Sequence, residues 1–551
     1  MSRNNRTNTS KCAEETEVQK TTPKNSSRKG GKKNARNNRT NRSNRTNDSR
    51  DYGINDASWY AANDQLLKDA ASLSFAQPVG VSVPFSINSG DEAQKYSEIL
   101  SIGYIPTFGP SEANTSPLNV SARRIYTFVR HANSGHTNYD APDLMLYIMA
   151  MDSLYAAYFN CVRAYGIANV YSQKNRAIPD DLLQAIGFDG HDVRMNLANF
   201  RYHLNVIAAK LNSLAVPMDL PIFKRHVFMN SYVYMDAPVQ KAQMYVFRPA
   251  GTWQFDNTTS DKGGFLKYVP LIEDSMDGEY RSGQLNTMTC TEWIKVINDM
   301  LDPIITDEDM NIMSGDILKA YGSDKIYAVT SVSEDYVVIP TYQPEVLTQI
   351  QNLNYAGIPD QAYGGLAMKQ NPDTVSLEFK PTFIPVKGFD PVMTRIPLTL
   401  PMDSPTPSDV MVASRLMLSN AQVIPTTGSK STVIYHNFGS EIVTTGILFA
   451  SKQQFIADFV EMRMNTSETT SQKELSLLLN AIEGCSLLEK FGMHPRCSAH
   501  FFAMSGSGTK SGQLYYQDWD NITTVNDVEL TQMHETALLS MFNVPTLAVG
   551  K

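Results

Sequence analysis

The first fifty residues combine arginine and asparagine in a repeat that could bind phosphate groups. Arg3–Asn8 (RNNRTN) recurs as Arg36–Asn41 and, with one change, as Arg42–Asn47. Guanidinium groups bind phosphate oxygens in a bidentate way, and Asn and Thr add hydrogen bonds that do not depend on base sequence. The repeat therefore predicts contact with a nucleic acid backbone. The basic side chains expected to make this contact are Arg3, Arg6, Arg28, Lys29, Lys32, Lys33, Arg36, Arg39, Arg42, Arg45 and Arg50.

The composition of residues 1–50 also bears on how this arm would hold a nucleic acid. The arm has no aromatic residue, and Val18 is its only branched aliphatic residue. It cannot bury enough apolar surface to offset the entropy of ordering, so we expect it to be disordered in the free protein. Without aromatic rings it offers no stacking platform for bases, and its binding should weaken steeply with salt. A solubilising tail and a localisation signal remain alternative interpretations.

The charge of the chain is divided between this arm and the rest. Residues 1–50 hold 14 Lys and Arg against 4 Asp and Glu, a net charge of +10, whereas the whole chain of 551 residues carries −8. The remaining 501 residues therefore carry −18, from 34 basic and 52 acidic side chains. A basic arm on an acidic body that is rich enough in apolar residues to fold is typical of a polyanion-binding tail on a folded protein.

The segment Gly506–Gly512 (GSGTKSG) is similar in composition to a phosphate-binding loop. That motif requires a lysine directly after its last glycine, whereas Thr509 separates the two here, and no helical pattern follows. The segment lies between the apolar runs Phe501–Met504 and Leu514–Tyr516. We therefore predict a flexible hairpin loop and no phosphate site.

Metal-ligand residue types occur together only near the C-terminus, as Cys485, His494, Cys497 and His500. Their spacing does not match the paired pattern of a zinc site, so structural roles are the better interpretation. Asp274–Glu279 (DSMDGE) fails the calcium-loop pattern. We find no nucleophile-elbow or metalloprotease motif. The sequence thus predicts no metal, no cofactor and no enzymatic activity, although a catalytic triad of distant residues stays open.

Targeting and membrane signals are not expected in this sequence. Residues 1–20 have no apolar segment of the secretory type. The longest apolar run, Leu144–Phe159, is interrupted by Asp152 and Ser153, which predicts a buried helix and not a membrane span. The five cysteines are few, odd in number and widely spaced, which fits a reducing, intracellular site of synthesis and argues against a disulfide framework.

Helical periodicity dominates residues 51–225. Asn55 or Asp56 could cap a helix that runs through Leu66. A buried helix is predicted from Pro142 onward, and apolar residues spaced four and three apart predict one long amphipathic helix from near Asp192 to a stop at Pro217. This part of the chain should therefore be mainly α.

Residues 226–430 show a different pattern. Short β-branched and aromatic runs predict strands. These runs are His226–Met235, Met244–Phe247, Ile326–Val329 and Tyr336–Ile339, the last two joined by a hairpin loop. Eight prolines in residues 372–407 exclude a helix or a central strand there. We interpret 226–430 as a strand- and loop-rich insert.

After residue 430 the pattern predicts a pair of strands and a return to helices. The strands are Thr432–His436 and Ile442–Phe449, and the helices are Lys452–Met464, Lys473–Phe491 and Asp527–Phe542. The resulting fold class is mainly α with a strand-rich insert, that is, α+β. The expected organisation is a disordered arm (1–50), a helix-rich domain (51–225 and 431–551) and an insert that projects from it (226–430).

The chain resembles the capsid proteins of picobirnaviruses, in particular those of the human type. The resemblance lies in the length, the organisation, the segment Arg123–Gly135 (RRIYTFVRHANSG) and the buried helix that follows from Pro142. It implies a non-enzymatic subunit that forms homodimers, which assemble into an icosahedral shell of 120 subunits around viral double-stranded RNA. The helix-rich flanks would form the shell domain and the insert the protruding domain of the virion.

Two other functions remain as alternatives. A cellular RNA-binding scaffold with a basic tail would share the charge split, although no RNA-binding domain signature is found in the body. A hydrolase with a site assembled from distant residues would leave no sequence motif. Some relatives lose an N-terminal peptide by self-cleavage, but we identify no residues here that would carry it out.

Overall fold

The computed structural model describes most of the chain beyond the arm. The described residues are 60–72, 97–133, 135, 138–171, 178–238, 242–256, 264–271, 287–360, 366–384, 395–425, 431–450, 453–456, 460–465, 488–489, 491–495, 498–504, 510–517 and 522–543. The chain divides into two compact units, Met1–Phe75 and Ala76–Lys551. In the first unit the described residues form one short helix. The rest of the fold belongs to the second unit.

Helices predominate in the first half of the described chain and strands in the second half. The helices are α1 Asp64–Ala71, α2 Pro117–Ala132, α3 Ala141–Tyr171, α4 Ile178–Ala185, α5 Gly190–Met195, α6 Leu197–Leu211, α7 Pro221–Ser231, α8 Cys290–Thr306, α9 Glu308–Tyr321, α10 Pro344–Gln351, α11 Pro407–Ala413 and α12 Asp527–Met541. The strands are β1 Ser97–Pro106, β2 Tyr234–Met235, β3 Met244–Pro249, β4 Gly251–Asp256, β5 Phe265–Pro270, β6 Thr341–Tyr342, β7 Ile358–Pro359, β8 Ala367–Asn371, β9 Ser376–Glu378, β10 Thr382–Ile384, β11 Arg395–Thr399, β12 Ser419–Pro425, β13 Ser431–Asn437, β14 Glu441–Ala450, β15 Gln453–Ile456, β16 Val460–Asn465, β17 Ser498–Met504, β18 Lys510–Gln517 and β19 Ile522–Asn526.

A six-stranded mixed sheet organises the second unit, with the order β15-β14-β1-β3-β2-β6. Its central strand β1 is antiparallel to β14 and parallel to β3. Leu100, Ile102 and Tyr104 of β1 belong to one apolar cluster, whereas Ile99 and Ile105 belong to another. Because successive side chains of a strand point to opposite faces, the sheet is covered by apolar layers on both sides.

Helix α3 is the centre of the larger apolar layer. It is 31 residues long, and most of its side chains are buried whichever way they face. It packs against α2, α6, α7, α8 and strand β4. A helix that is apolar on all sides requires neighbours on all sides. The prediction of a buried helix from Pro142 is therefore confirmed, and no helix among the described residues is long and apolar enough to span a membrane.

Local sequence signals explain where several helices begin. Thr289, Thr406 and Asn526 each form a capping box at the start of α8, α11 and α12. Asp307 caps α9 with its carboxylate, as expected for an acidic residue at a helix N-terminus. The helix predicted at Asp527–Phe542 is confirmed as α12.

Two predicted helices differ in detail from the observed ones. The helix expected to start at Asn55 or Asp56 is observed only from Asp64, with Asn63 as its cap, and residues 51–59 lie outside the described part. The helix expected from Asp192 to Pro217 is divided at Asn196 into α5 and α6. The Asn196 amide donates to the Asp192 carboxylate at 2.7 Å. Such local side-chain bonds compete with helical ones.

The strand predictions for 226–430 are correct only in part. Met244–Phe247 is confirmed within β3, but most of His226–Met235 lies in α7 and only Tyr234–Met235 is strand. The runs Ile326–Val329 and Tyr336–Ile339 form no hairpin. Instead, the side-chain amides of Asn205 on α6 and of Asn212, which caps the C-terminus of α6, each donate to and accept from the backbone of this stretch. These side-chain amides make the hydrogen bonds with this backbone that a neighbouring strand would otherwise make.

The expected contents of the insert and of the C-terminal region also need correction. Residues 290–321, expected to be strands and loops, form α8 and α9. The proline-rich range 372–407 contains short strands, and β10 is an interior strand of the sheet β12-β13-β10-β7, which is possible because Thr382–Ile384 contains no proline. Lys452–Met464 contains β15 and β16 where a helix was expected, and most of Lys473–Phe491 lies outside the described residues.

The C-terminal strands partly follow the prediction. Thr432–His436 and Ile442–Phe449 are strands, but they belong to different sheets and do not pair with each other. Strands β17 and β18 pair antiparallel on either side of residues 505–509, as a hairpin at the Gly506 segment requires. The fold is therefore mixed α and β, which confirms the expected α+β class, and residues 51–225 are mainly helical as predicted. The expected return to a mainly helical chain after residue 430 is wrong, because strands predominate there among the described residues. The division into shell and protruding domains stays a prediction.

Candidate functional site

Four charged side chains meet inside the protein where α3, α7 and β14 come together. Asp152 belongs to α3, Arg225 and His226 belong to α7, and Glu441 is the first residue of β14. Asp152, His226 and Glu441 have side chains that are at most 1% exposed, and that of Arg225 is 17% exposed. We call these four residues the buried charge cluster. An unpaired charge would be very costly at such a place, so two acids meet two bases.

The His226 imidazole bridges the two carboxylates of the cluster. Its Nδ1 lies 2.5 Å from Asp152 Oδ2, and its Nε2 lies 3.3 Å from Glu441 Oε1. Arg225 donates Nη2–H to Glu441 Oε2 at 2.9 Å and Nε–H to Oε1 of the same carboxylate, which makes a bidentate pair. Gln349 from α10 accepts further bonds from the same guanidinium. The cluster thus joins four elements.

Helix α7 supplies both basic residues because of its local sequence. Pro221 occupies the first turn, where its missing N–H is tolerated. Its buried residues Ile222, Phe223, His226, Met229 and Asn230 recur at helical spacing and form one face. The Asn230 amide donates to the carbonyl of His226 and to the hydroxyl of the buried Tyr104 on β1, which carries the polar network to the central strand.

The surroundings shift the pKa values of the cluster strongly. Burial alone would lower the pKa of His226, but the charge and hydrogen bond of Asp152, together with Glu441, raise it to about 9. Burial would raise the pKa of Glu441, yet Arg225 and His226 hold it well below its usual range. Burial raises the pKa of Asp152, and the opposing attraction of His226 does not cancel this effect. At neutral pH the imidazole is therefore protonated.

Another buried base, Arg163 of α3, has no carboxylate among its hydrogen-bond partners in the described part of the chain. It donates to the carbonyls of Met229 and Tyr232 at the end of α7, to the carbonyl of Phe247 on β3 and to Asn160. A cation at a helix C-terminus is favoured by the helix dipole and satisfies carbonyls that have no partner within the helix. Arg163 therefore fixes the far end of α7.

The arrangement supports a structural role and gives no basis for catalysis. Ser440 is adjacent to the cluster, but its hydroxyl donates to Glu441 Oε1 at 2.7 Å and not to the imidazole. Nucleophilic catalysis requires a serine that is hydrogen-bonded to its base and reachable by substrate. Both ring nitrogens of His226 already face carboxylates in the interior. The cluster is best described as a cross-link between distant parts of the chain.

A second, smaller group of charges lies at the surface beside a groove of about 340 Å³. Lys380 Nζ lies 3.1 Å from Glu112 Oε2, and His436 Nδ1 lies 2.9 Å from Glu112 Oε1. All three side chains are partly exposed. Burial would raise the pKa of Glu112, but the hydrogen bonds and electrostatic attraction of Lys380 and His436 lower it. Water screens such exposed pairs, so they contribute little to stability.

The residues singled out by sequence lie mostly outside the described part of the chain. The expected RNA-binding set lies entirely there, and it comprises Arg3, Arg6, Arg28, Lys29, Lys32, Lys33, Arg36, Arg39, Arg42, Arg45 and Arg50. Cys485, Cys497 and Asp274–Glu279 also lie there, and His494 is half-buried with its Nδ1 at 2.9 Å from the Pro495 carbonyl. Within the described ranges, no group of three or more acidic, histidine or cysteine side chains could hold a metal ion.

The buried charge cluster does not follow from the sequence patterns. In the sequence Asp152 stands out only as an interruption of an apolar run, and His226 falls within a predicted strand. A usable signal exists, because Pro221 followed by apolar residues at helical spacing predicts α7. The partnership with Glu441, 216 residues from Arg225, has no local signal.

Comparisons with known proteins give one consistent family. The model of the picobirnavirus capsid protein family matches residues 59–473. The capsid protein precursor of Human picobirnavirus (strain Human/Thailand/Hy005102) is 29% identical over 535 residues, which cover 90% of this chain and 92% of that protein.

A solved structure supports the same fold. The X-ray crystallographic structure of the picobirnavirus capsid superposes with a TM-score of 0.70 and 22% sequence identity, covering 89% of this chain and 98% of that chain. This likeness establishes the fold, and the family model covers most of the sequence. The chain therefore belongs to the picobirnavirus capsid protein family, which is a structural and not an enzyme family.

Proposed function

We propose that this capsid protein assembles as homodimers into an icosahedral shell and holds double-stranded genomic RNA through residues 1–50. Membership of the capsid family makes the protein a structural component of the virion and favours this function over a cellular RNA-binding scaffold or a hydrolase. The proposal extends beyond family membership to four points, which are assembly from dimers, a shell of 120 subunits, contact with RNA and synthesis in the host cytoplasm.

The observation that carries the RNA-binding part is the charge split. The arm holds 14 basic residues within fifty, whereas the other 501 residues carry a net charge of −18. The acidic body would repel RNA, and the arm would attract it. The RNA-contacting side chains would be the eleven arginines and lysines named above, and without aromatic residues they would hold phosphates without reading bases.

The shell and protruding regions would follow the ranges expected from the sequence, with 51–225 and 431–551 in the shell and 226–430 in the protrusion. The contents of these ranges are mixed, and the main apolar cluster draws residues from both. A protrusion built this way would be anchored firmly, because α8 and α9 pack against α2 and α3.

Electron microscopy of the purified, recombinant full chain tests the proposal. Uniform hollow particles are expected at near-neutral pH, because a capsid subunit encodes its own assembly geometry. A protein that stays dispersed or forms only irregular aggregates across a range of salt and protein concentrations would contradict self-assembly. Nuclease-treated particles that retain protected RNA would support the role of the arm.

A further inference from the structure

Helix α2 is basic, although the body to which it belongs is acidic. The 501 residues after the arm carry a net charge of −18, yet residues 113–139 contain three arginines and no Asp or Glu. All three arginines lie on α2, as Arg123, Arg124 and Arg130, and His131 follows in the last turn. The local charge is therefore opposite in sign to that of the body as a whole.

The helix separates its buried and exposed side chains into two faces. Leu118, Ala122, Ile125 and Val129 are buried, where α2 packs against α3, α9 and α12. The other side of the helix is polar, because positions three, four and seven apart share one face. Its residues, which we call the basic face, are exposed except for the half-buried Arg130, and they are Arg123, Arg124, Thr127, Arg130 and His131.

The guanidinium groups of the basic face bond only to neutral oxygens. Arg123 donates to the carbonyl and side-chain oxygens of Asn114 at 3.1 and 2.9 Å, and Arg130 donates to the Gly135 carbonyl at 2.6 Å. A neutral acceptor orients a guanidinium without cancelling its charge. Since a guanidinium has five N–H donors, both arginines keep donors for a further partner.

The acids around α2 are bonded to other groups. Glu112, which precedes the helix, pairs with Lys380 and His436, and Asp316 on α9 accepts from the Tyr139 hydroxyl at 2.6 Å. Within the described ranges, no acid of α3, α9 or α12 forms an ion pair with a cation of α2. The basic face therefore keeps an excess of positive charge.

The spacing of these cations suits a chain of phosphates. Arg123 and Arg130 are seven residues apart, and so are Arg124 and His131, which corresponds to about 10 Å along a helix. A double-stranded nucleic acid carries one negative charge roughly every 2 Å of its axis. The basic face can therefore contact several phosphates of one double helix at the same time.

The aromatic side chains of α2 favour RNA backbone over a lipid surface. Tyr126 and Phe128 are half-buried, and their rings contact Tyr139 and Tyr321. A helix that binds a membrane inserts an exposed apolar face into the lipid, whereas the apolar face of α2 is already packed. Because no exposed ring can stack on a base, binding would not depend on base sequence.

We propose that the basic face of α2 is a second surface that binds RNA phosphates, in addition to residues 1–50. The inference rests on the proposed function for the identity of the partner, and it adds a site on the folded body. Both sites bind through charge, so each contributes its own share to the salt dependence of RNA binding.

The variant Arg123→Gln/Arg124→Gln/Arg130→Gln of the full chain tests the surface. Fluorescence anisotropy with double-stranded RNAs of unrelated sequence is measured at protein concentrations at which sedimentation shows no particles. The variant should bind about tenfold more weakly at low salt. The slope of log affinity against log salt should decrease by roughly 0.9 for each phosphate that is no longer neutralised.

The matched control removes the same net charge at exposed positions elsewhere. Lys224, Lys295 and Lys369 are exposed on α7, α8 and β8, and none of them forms an ion pair within the described ranges. Lys224→Gln/Lys295→Gln/Lys369→Gln should keep the wild-type slope, because these side chains are not expected to contact phosphates.

A charge-conserving variant separates phosphate binding from misfolding. Arg123→Lys/Arg124→Lys/Arg130→Lys loses the bonds of the guanidinium groups but keeps the charge, so it should keep most of the slope. Circular dichroism checks that all variants are folded. A lysine variant that binds as weakly as the glutamine variant would overturn binding by charge.

The outcomes separate this inference from the proposed function. A wild-type slope in the α2 glutamine variant, or an equal loss in the lysine control at 224, 295 and 369, overturns the surface. If the slope still decreases when Arg36, Arg39, Arg42 and Arg45 are replaced by alanine, RNA binding by the arm stands. A wild-type chain whose RNA affinity does not change with salt overturns both.

A flotation experiment with vesicles containing phosphatidylserine tests the membrane alternative. The wild type and the α2 glutamine variant should float to the same small extent, because α2 has no exposed apolar face to insert. Vesicle binding that is lost in the glutamine variant while RNA binding is unchanged would assign the basic face to a lipid surface and overturn the inference.

Discussion

Residues 1–50 and the buried charge cluster differ in whether their charges are balanced by opposite charges nearby. In the arm, 14 basic residues face only 4 acidic ones along the sequence, so most of its charge has no counterpart within the segment. In the cluster, Asp152 and Glu441 balance Arg225 and His226 at hydrogen-bond distances. Charge that is balanced inside the fold makes the subunit sensitive to the loss of either partner, whereas charge left over is available to another molecule. The stability that depends on the cluster should therefore change with pH, and the binding of RNA by the arm should change with salt.

The largest effect is expected from breaking the cluster. Glu441→Leu leaves Arg225 and His226 buried without their shared carboxylate, which should reduce the free energy of unfolding by about 3 to 5 kcal/mol. Urea unfolding followed by circular dichroism measures it. Glu441→Gln, which keeps the shape and one acceptor, should be destabilised less. A Glu441→Leu variant as stable as wild type would show that the cluster does not hold the fold together.

The pH dependence of stability should identify His226. Because its pKa in the folded protein, about 9, is above the unfolded value of 6.5, its contribution is fully present below about pH 6.5 and is lost as the pH rises through 9. The decrease in the free energy of unfolding should be about 3 kcal/mol. Urea unfolding at about pH 6 and about pH 9.5 measures it.

The double variant Asp152→Asn/His226→Gln is the control for this titration. It replaces the pair by neutral groups of similar shape, so its stability should change much less over the same interval. If wild type and double variant lose stability in parallel, another group is responsible. His534 is not expected to contribute there, because burial and Arg415 hold its pKa well below its usual range and keep it neutral.

The arm should respond to salt. Replacing Arg36, Arg39, Arg42 and Arg45 by alanine should weaken binding to double-stranded RNA and reduce the slope of log affinity against log salt by roughly 0.9 for each phosphate that is no longer neutralised. Fluorescence anisotropy with RNAs of unrelated sequence measures both. An unchanged slope would contradict phosphate binding by these arginines, and a strong preference for one sequence would contradict backbone binding.

The smallest effect is expected at the surface pairs of Glu112. Glu112→Gln removes the ion pair with Lys380 and weakens the contact with His436, and both are partly exposed and screened, so the decrease in stability should stay below about 1 kcal/mol. Urea unfolding at low and high salt measures it. A decrease as large as that of Glu441→Leu would remove the distinction between exposed and buried charge.

Local signals predict the parts of the fold that depend on local physics. The apolar helix after Pro142 and the helix after Asn526 follow from periodicity and capping, and both are observed. Val329 and Val338 belong to runs that are typical of strands, yet both lie next to helices. The backbone N–H groups of Val329 and Val332 donate to the side chains of Asn212 and Asn205, where a strand would donate to a neighbouring strand. Such substitution depends on tertiary position, which no window of sequence contains.

The candidate site shows the same limit more sharply. A lone Asp152 within an apolar helix indicates that a buried partner must exist. Which residue that is depends on how α3, α7 and β14 meet, and His226 is 74 positions away. The arm is the reverse case, since its function is inferred from composition alone and needs no tertiary contact.

The RNA content of purified particles tests the central claim most directly. Particles assembled from the full chain and from a chain lacking residues 1–50 would be treated with nuclease and compared by their absorbance ratio at 260 and 280 nm. The account predicts intact shells from both chains and a several-fold lower RNA content without the arm, because only the acidic body then faces the RNA. Shells with equal RNA content at physiological salt would contradict it.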